Sequence, residues 1–173
     1  MINFMVLAGP RSATTWLANL LTTDETLCLH DPFLEYTADQ LQQIHIPGRR
    51  IGISCTAALL HPEWVLAQRC PKILIYRDPR EINASLRVLG MNELDHARHL
   101  RRMQAIPGAK MYDWRSAFRT ADAVDMCKRL GVPFDLYRFR QLVNMNIQPQ
   151  YQQLPLDREA VQEWSRRVTE VGL

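Results

Sequence analysis

The sequence predicts an α/β protein: a three-layer sandwich with a mainly parallel sheet of about five strands, covered by helices on both faces. Three observations carry that reading. Short β-rich apolar runs alternate along the chain with stretches of helical spacing, the order that builds βαβ units. Two of the runs, Phe4-Met5-Val6-Leu7-Ala8 and Ile73-Leu74-Ile75-Tyr76, are apolar throughout rather than alternating. That pattern belongs to central strands buried on both sides. The chain also has 173 residues, 47% of them hydrophobic and 23% charged, the size and balance of one domain with a real core. Residues 1–173 are therefore expected to form a single domain.

The elements follow in order. Strands are expected at Asn3 to Ala8, Leu27 to His30, Ile51 to Cys55, Lys72 to Tyr76 and Phe134 to Phe139. After the first run, Trp16, Leu17, Leu20 and Leu21 share one helical face. Ile82, Leu86 and Leu89 do so after the fourth. Val124, Cys127 and Leu130 form a further stripe, closed by Gly131 as a C-cap. Near the end, Val161, Trp164, Val168 and Val171 make another, preceded by a Gln-rich connector from Gln148 to Gln153. Residues 92–120, basic and loosely periodic, read as helices forming a lid or acceptor wall.

Composition excludes several classes. The net charge of +3 is too weak to argue for nucleic acid. The basic residues are 18 Arg against 3 Lys, and Arg is the better fork for phosphate and sulfate, although a GC-rich genome also raises Arg. Cys28, Cys55, Cys70 and Cys127 form no CxxC pair, so a zinc knuckle or thioredoxin motif is excluded. They are expected to be reduced, mostly buried thiols of a cytoplasmic protein. The amino-terminal residues lack the basic region of a signal peptide. No apolar run approaches the roughly 18 residues of a membrane span.

The first chemical motif is Ala8-Gly9-Pro10-Arg11-Ser12-Ala13-Thr14-Thr15-Trp16-Leu17. A buried strand runs into a small-residue turn that opens a helix, which gathers backbone N–H groups at one point. Ser12, Thr14 and Thr15 add hydroxyls, and Arg11 adds a fixed charge. The bland alternative is an N-capped helix with Ser12 or Thr14 as the cap. A Walker A loop is excluded, because no Gly-Lys follows. The second motif is Arg77-Asp78-Pro79-Arg80-Glu81-Ile82-Asn83-Ala84-Ser85. Arg77 ends a buried strand, Pro79 suits the first turn of a helix, and the strand-to-helix turn can bring Arg77 and Ser85 to one anion.

These two segments resemble the cofactor loops of sulfotransferases that use 3′-phosphoadenosine 5′-phosphosulfate (PAPS). Residues 10–17 are similar to the family's 5′-phosphosulfate loop, with Ala13 where Gly is usual. Arg77, Asp78, Pro79, Glu81 and Ser85 are similar to its 3′-phosphate motif. The resemblance implies a P-loop nucleotide-kinase/sulfotransferase-like fold, PAPS as donor, 3′-phosphoadenosine 5′-phosphate (PAP) as product and no metal. It implies that Arg11, Ser12, Ala13, Thr14, Thr15 and Trp16 hold the 5′-phosphosulfate. The Trp16 ring could stack on adenine or pack in the core. Arg77 and Ser85 would hold the 3′-phosphate. The family's C-terminal R-K-G-x-x-G motif is absent; Arg138, Arg140 or the Arg98, Arg101, Arg102 cluster are candidates to replace it.

At the second strand's end stand His30 and Asp31, where ligands of parallel sheets bind. Either could take the proton of an attacking acceptor hydroxyl, with Arg11 as the third catalytic candidate. The segment resembles an H-[ED]-P-[FL] element of bacterial sulfotransferase-like sequences; the alternative is a polar strand end turned by Asp31 before Pro32. His96 and His99 read as solvent-facing, Arg98, Arg101 and Arg102 as solvated, and Cys55 as a buried thiol. The function so implied is sulfuryl transfer to a hydroxyl or amine of a small-molecule, glycan or peptide acceptor. The alternatives are a P-loop kinase using ATP-Mg and a non-catalytic PAP/PAPS-binding module.

Overall fold

Among the described residues, five parallel strands form one sheet in the order β2-β3-β1-β4-β5. The structure, a computed structural model, describes residues 1–88 and 90–145. The strands are β1 (Phe4–Ala8), β2 (Thr26–His30), β3 (Arg50–Cys55), β4 (Lys72–Tyr76) and β5 (Lys110–Asp113). The helices are α1 (Thr14–Leu20), α2 (Ala38–Gln43), α3 (Pro62–Ala67), α4 (Pro79–Val88), α5 (His96–Gln104), α6 (Thr120–Leu130) and α7 (Leu136–Val143). The stripe at residues 161–171, the connector at 148–153 and Leu89 lie outside the described residues.

β1 accounts for the three layers. Its side chains alternate by strand geometry, and both sets are buried. Phe4, Val6 and Ala8 join a core with Trp16, Leu17 and Leu20 of α1, Met126 and Leu130 of α6, and Phe139 and Leu142 of α7. Met5 and Leu7 join a second core with Leu41 of α2, Val65 of α3 and Met103 of α5. A strand between two cores has no face to give to water, hence the unbroken apolar run. Across β1 and β3, Phe4 pairs with Gly52. A Cβ at Gly52 would lie 2.0 Å from Phe4 Cε2, so the ring lies where a side chain would stand.

The first four strands stand where expected; the fifth does not. Phe134 to Phe139 is no strand. Asp135 accepts the N–H of Arg138 at 3.0 Å, an N-cap that starts α7. Phe139 and Leu142, three apart, are the buried stripe, while Leu136 and Tyr137 face outward. The fifth strand is β5, inside the segment read as helical. Only Tyr112 of its four residues is buried, so it carries almost no apolar signal. Asp125 of α6 accepts from Tyr112 Oη at 2.5 Å and from Lys110 Nζ at 2.8 Å, tying this edge strand to the helix behind it. α6 ends as expected on Gly131 at φ 66°, although Val124 of its stripe is exposed. Among the described residues no helix is long and apolar enough to cross a membrane.

Candidate active site

All five strands run the same way, so their carboxyl ends share one edge. Arg11, Asp31, Thr56, Arg77 and Trp114 each follow one of those ends by one to three residues. Such an edge is the ligand-binding edge of parallel α/β sheets.

The loop after β1 is strained. Arg11 has φ 62° and Ala13 φ 64°, both left-handed without being glycine. This conformation costs about 1–2 kcal/mol per residue with a Cβ, so the surroundings must hold it. They do so from three elements. A guanidinium Nη of Arg77, after β4, donates to the Arg11 carbonyl. Arg11 Nε donates to Ser85 Oγ on α4 at 3.0 Å. Ser54 Oγ on β3 donates to the Thr14 carbonyl at 2.9 Å. Gly9 allows the loop to pass close to α5: a Cβ there would lie 2.8 Å from His99 Nε2. Neither Ser12 nor Thr14 caps α1. Ala13 occupies the N-cap position, no side chain bonds there, and the Ser12 hydroxyl is buried, 3.4 Å from the Pro10 carbonyl.

His30 and Asp31 meet this loop. His30 Nε2 lies 3.1 Å from Thr14 Oγ1, 3.0 Å from Thr15 Oγ1 and 3.2 Å from Asp31 Oδ2. Burial lowers the His30 pKa below its ordinary 6.5, opposed by the Asp31 charge. Asp31 has φ 42°, and its Oδ1 accepts from the N–H and hydroxyl of Thr56 at 2.6 and 3.0 Å. Burial, with the Asp31 charge, pushes the Cys55 thiol up to about 12, so it stays protonated beside them. A cavity of about 330 Å³ opens here. Its polar wall is Arg11, Thr14, Thr15, Asp31 and Thr56; its apolar wall includes Leu34, Leu86 and Met91.

The second motif converges on the first. Arg77 donates through Nε to Glu81 Oε2 at 3.2 Å, and its guanidinium lies 4.3 Å over the Trp114 ring. Glu81 also accepts from Arg115 Nη2 at 2.6 Å and Trp114 Nε1 at 3.1 Å. The Arg115 hydrogen bond foremost, helped by Arg77, holds the Glu81 carboxyl below the usual carboxylate range. A second guanidinium therefore stands beside Arg77.

Several expectations need correction. Trp16 does not present its ring to a ligand. It is 4% exposed, donates Nε1–H to the Leu142 carbonyl at 3.1 Å, and packs on Phe118 and Phe139. The ring is large enough to fill the space between α1 and α7, and burial outweighs display. His99 is buried against the loop rather than solvent-facing. Arg138 is buried at the other end of the sheet, donating Nε–H to the Asn19 carbonyl at 2.5 Å, so it cannot serve this edge. Arg98, Arg101 and Arg140 are exposed. Among the described side chains of residues 92–120 none lines the cavity; α5 packs into the core through Met103 instead. Sequence reasoning missed Thr56, Trp114 and Arg115. They follow strand ends without any motif, and for Trp114 and Arg115 the strand itself was missed. Among the described residues no three His, Cys, Asp or Glu are grouped to hold a metal ion.

No protein-family model matches the chain, and no curated protein matches it in sequence. In structure it is similar to the mouse sulfotransferase SULT7A1 complexed with PAP, with a TM-score of 0.53 and 13% identity. The match covers 82% of this chain and 62% of that one, so the chain spans well under the length of its neighbour. An identity this low speaks for architecture alone. The chain therefore has an α/β fold with a five-stranded parallel sheet among the described residues, similar in architecture to that sulfotransferase.

Proposed function

We propose that the protein is a sulfotransferase that moves a sulfuryl group from PAPS to the hydroxyl or amine of an acceptor. One observation carries the reading. The two sequence motifs, 66 residues apart from Arg11 to Arg77, are joined directly at the Arg11 carbonyl. Ser85 completes the junction through the Arg11 side chain. Sites for two anions built on adjoining residues suit a nucleotide with a phosphate at each end of one ribose. The donor set fits that group: guanidiniums at Arg11, Arg77 and Arg115, and hydroxyls at Thr14, Thr15 and Ser85. Arg is the side chain whose fork matches phosphate and sulfate oxygens.

PAPS, when bound, supplies the sulfuryl group and a 5′-phosphate leaving group. The chain's part is positioning and charge stabilisation. Arg11, Thr14 and Thr15 hold the phosphosulfate. Arg77, Arg115 and Ser85 hold the second phosphate. Asp31, which lines the cavity, takes the acceptor proton, and His30 orients it. With its hydrogen on Nε2, His30 donates to Asp31 and leaves both threonine hydroxyls able to donate to an anion. Leu34, Leu86 and Met91 carry the acceptor.

A melting-shift series with PAP, PAPS, AMP and ATP, with and without Mg²⁺, tests the proposal. PAP or PAPS at 100-fold its dissociation constant should add about 2.7 kcal/mol of stability, and at equal concentration AMP and ATP should add less. Equal shifts for AMP and PAP would sink the two-anion reading, and a Mg²⁺-dependent ATP response would favour a kinase. Asp31→Asn should lower turnover about 10²–10⁴-fold while leaving donor binding intact. Tight PAP binding without turnover over a broad acceptor panel would leave a binding module.

A further inference from the structure

We propose that Thr56 is a positioning residue, holding the Asp31 carboxylate so that it serves as the base at this cavity. The inference rests on the sulfotransferase reading for its catalytic meaning, but its geometry stands by itself.

Thr56 occupies the N-cap position of the 3-10 turn Ala57–Leu60, where a threonine hydroxyl ordinarily bonds the N–H groups of its own turn. Here no such bond forms. The hydroxyl turns back across the strand ends and donates to Asp31 Oδ1 at 3.0 Å, joined by the Thr56 N–H at 2.6 Å. Departures from local preference of this kind collect at functional sites. The backbone sets the two residues opposite each other. His30 pairs with Ser54 across β2 and β3, and the Asp31 N–H donates to the Ser54 carbonyl at 3.0 Å. Asp31 then swings to φ 42°, a conformation Asp tolerates better than most residues because its short side chain can bond locally.

The two oxygens of the carboxylate are thereby divided. Oδ1 is held by Thr56, and Oδ2 lies 3.2 Å from His30 Nε2. Rotation about the last side-chain bond would break both Oδ1 contacts, so the acid is locked in one orientation. Thr56 also lines the cavity beside Asp31. Among the described residues, the other ionisable groups around Asp31 are His30 at the end of β2, the protonated Cys55 thiol on β3, and Arg11 across the cavity.

The test compares Thr56→Val, which removes the hydroxyl at nearly constant volume, with Thr56→Ser, which keeps it. The backbone donor remains in both. A carboxyl-carbon NMR titration of Asp31 reads the effect without any turnover. Losing one hydrogen bond to the ionised carboxylate disfavours its charged form, so the Thr56→Val profile should move upward in pH relative to wild type, and Thr56→Ser should restore it. In turnover assays with PAPS, the acid limb of kcat should move up by the same amount in Thr56→Val, with KM for PAPS unchanged. An unmoved midpoint overturns the proposal whatever the rates do. A moved midpoint with an unmoved kcat profile overturns the catalytic role of the pair. A moved midpoint in a protein that transfers no sulfuryl group overturns the preceding functional reading and with it the base, while the Thr56–Asp31 coupling stands.

Discussion

Replacing Arg77 with Ala should damage the loop as well as the ligand site. The Arg77 guanidinium donates to the Arg11 carbonyl and lies 4.3 Å over the Trp114 ring. A hydrogen bond involving a charged group contributes about 1.5–3 kcal/mol and a cation–π contact about 0.5–1, so Arg77→Ala should cost about 2–4 kcal/mol. The partly exposed ion pair with Glu81 is left out, because water screens it. A chain of this size shifts by about 2–4 °C per kcal/mol, so the melting midpoint should fall by roughly 5–15 °C. Arg11 is held at φ 62°, and losing its carbonyl partner lets the loop relax. AMP, which carries only the 5′-phosphate, should therefore lose affinity too. PAP should lose a further 10- to 150-fold or so, the equivalent of one charged hydrogen bond to the second phosphate. Arg77→Lys should recover only part, since a point charge cannot supply both contacts. Urea denaturation reads the stability, and calorimetric titration reads AMP and PAP. Wild-type stability with unchanged AMP affinity would refute the clamp. Equal losses for AMP and PAP would refute the second-phosphate contact.

Two further outcomes are expected. Gly52→Ala places a Cβ 2.0 Å from the fully buried Phe4 ring and should destabilise the sheet by about 3 kcal/mol in urea denaturation; an unchanged midpoint would mean the ring can move aside. His30 is held below its ordinary 6.5 by burial, so the unfolded chain binds the proton more readily. Stability should therefore fall as pH drops through 6.5 toward the lowered native value, and His30→Gln should flatten that slope between about pH 7 and pH 5; an identical slope in the variant would assign the titration elsewhere.

Much of the fold is legible in the sequence, because burial on two faces leaves a mark on every residue of a strand. β1 and β4 carry that mark, and their apolar runs match the strands to within a residue. β5 carries one buried side chain in four residues and was missed, while Phe134 to Phe139 has strand composition but begins with an Asp that caps a helix. Composition records what is buried, and it does not distinguish a half-buried helix from a strand when the run is short.

The site divides along the same line. The loop at residues 10–15, the Arg77 and Ser85 segment, and the His30–Asp31 pair are each local in sequence, since each is one strand end followed by its turn. Ala13, where the resembled loop usually has Gly, stands at φ 64°, so the loop adopts the conformation usually left to glycine. Only the tertiary structure decides which of these segments touch. Arg77 holds the Arg11 carbonyl, Thr56 holds Asp31, and Trp114 and Arg115 gather on Glu81 from a strand the sequence concealed. Trp16 sits beside the loop in sequence, yet it belongs to the core because its ring faces α7. The physical reason is that contact across strand ends depends on strand order, β2-β3-β1-β4-β5, which is set by the packing of all five strands at once. A single segment dictates its own turn; its partners across the edge are chosen by the whole sheet.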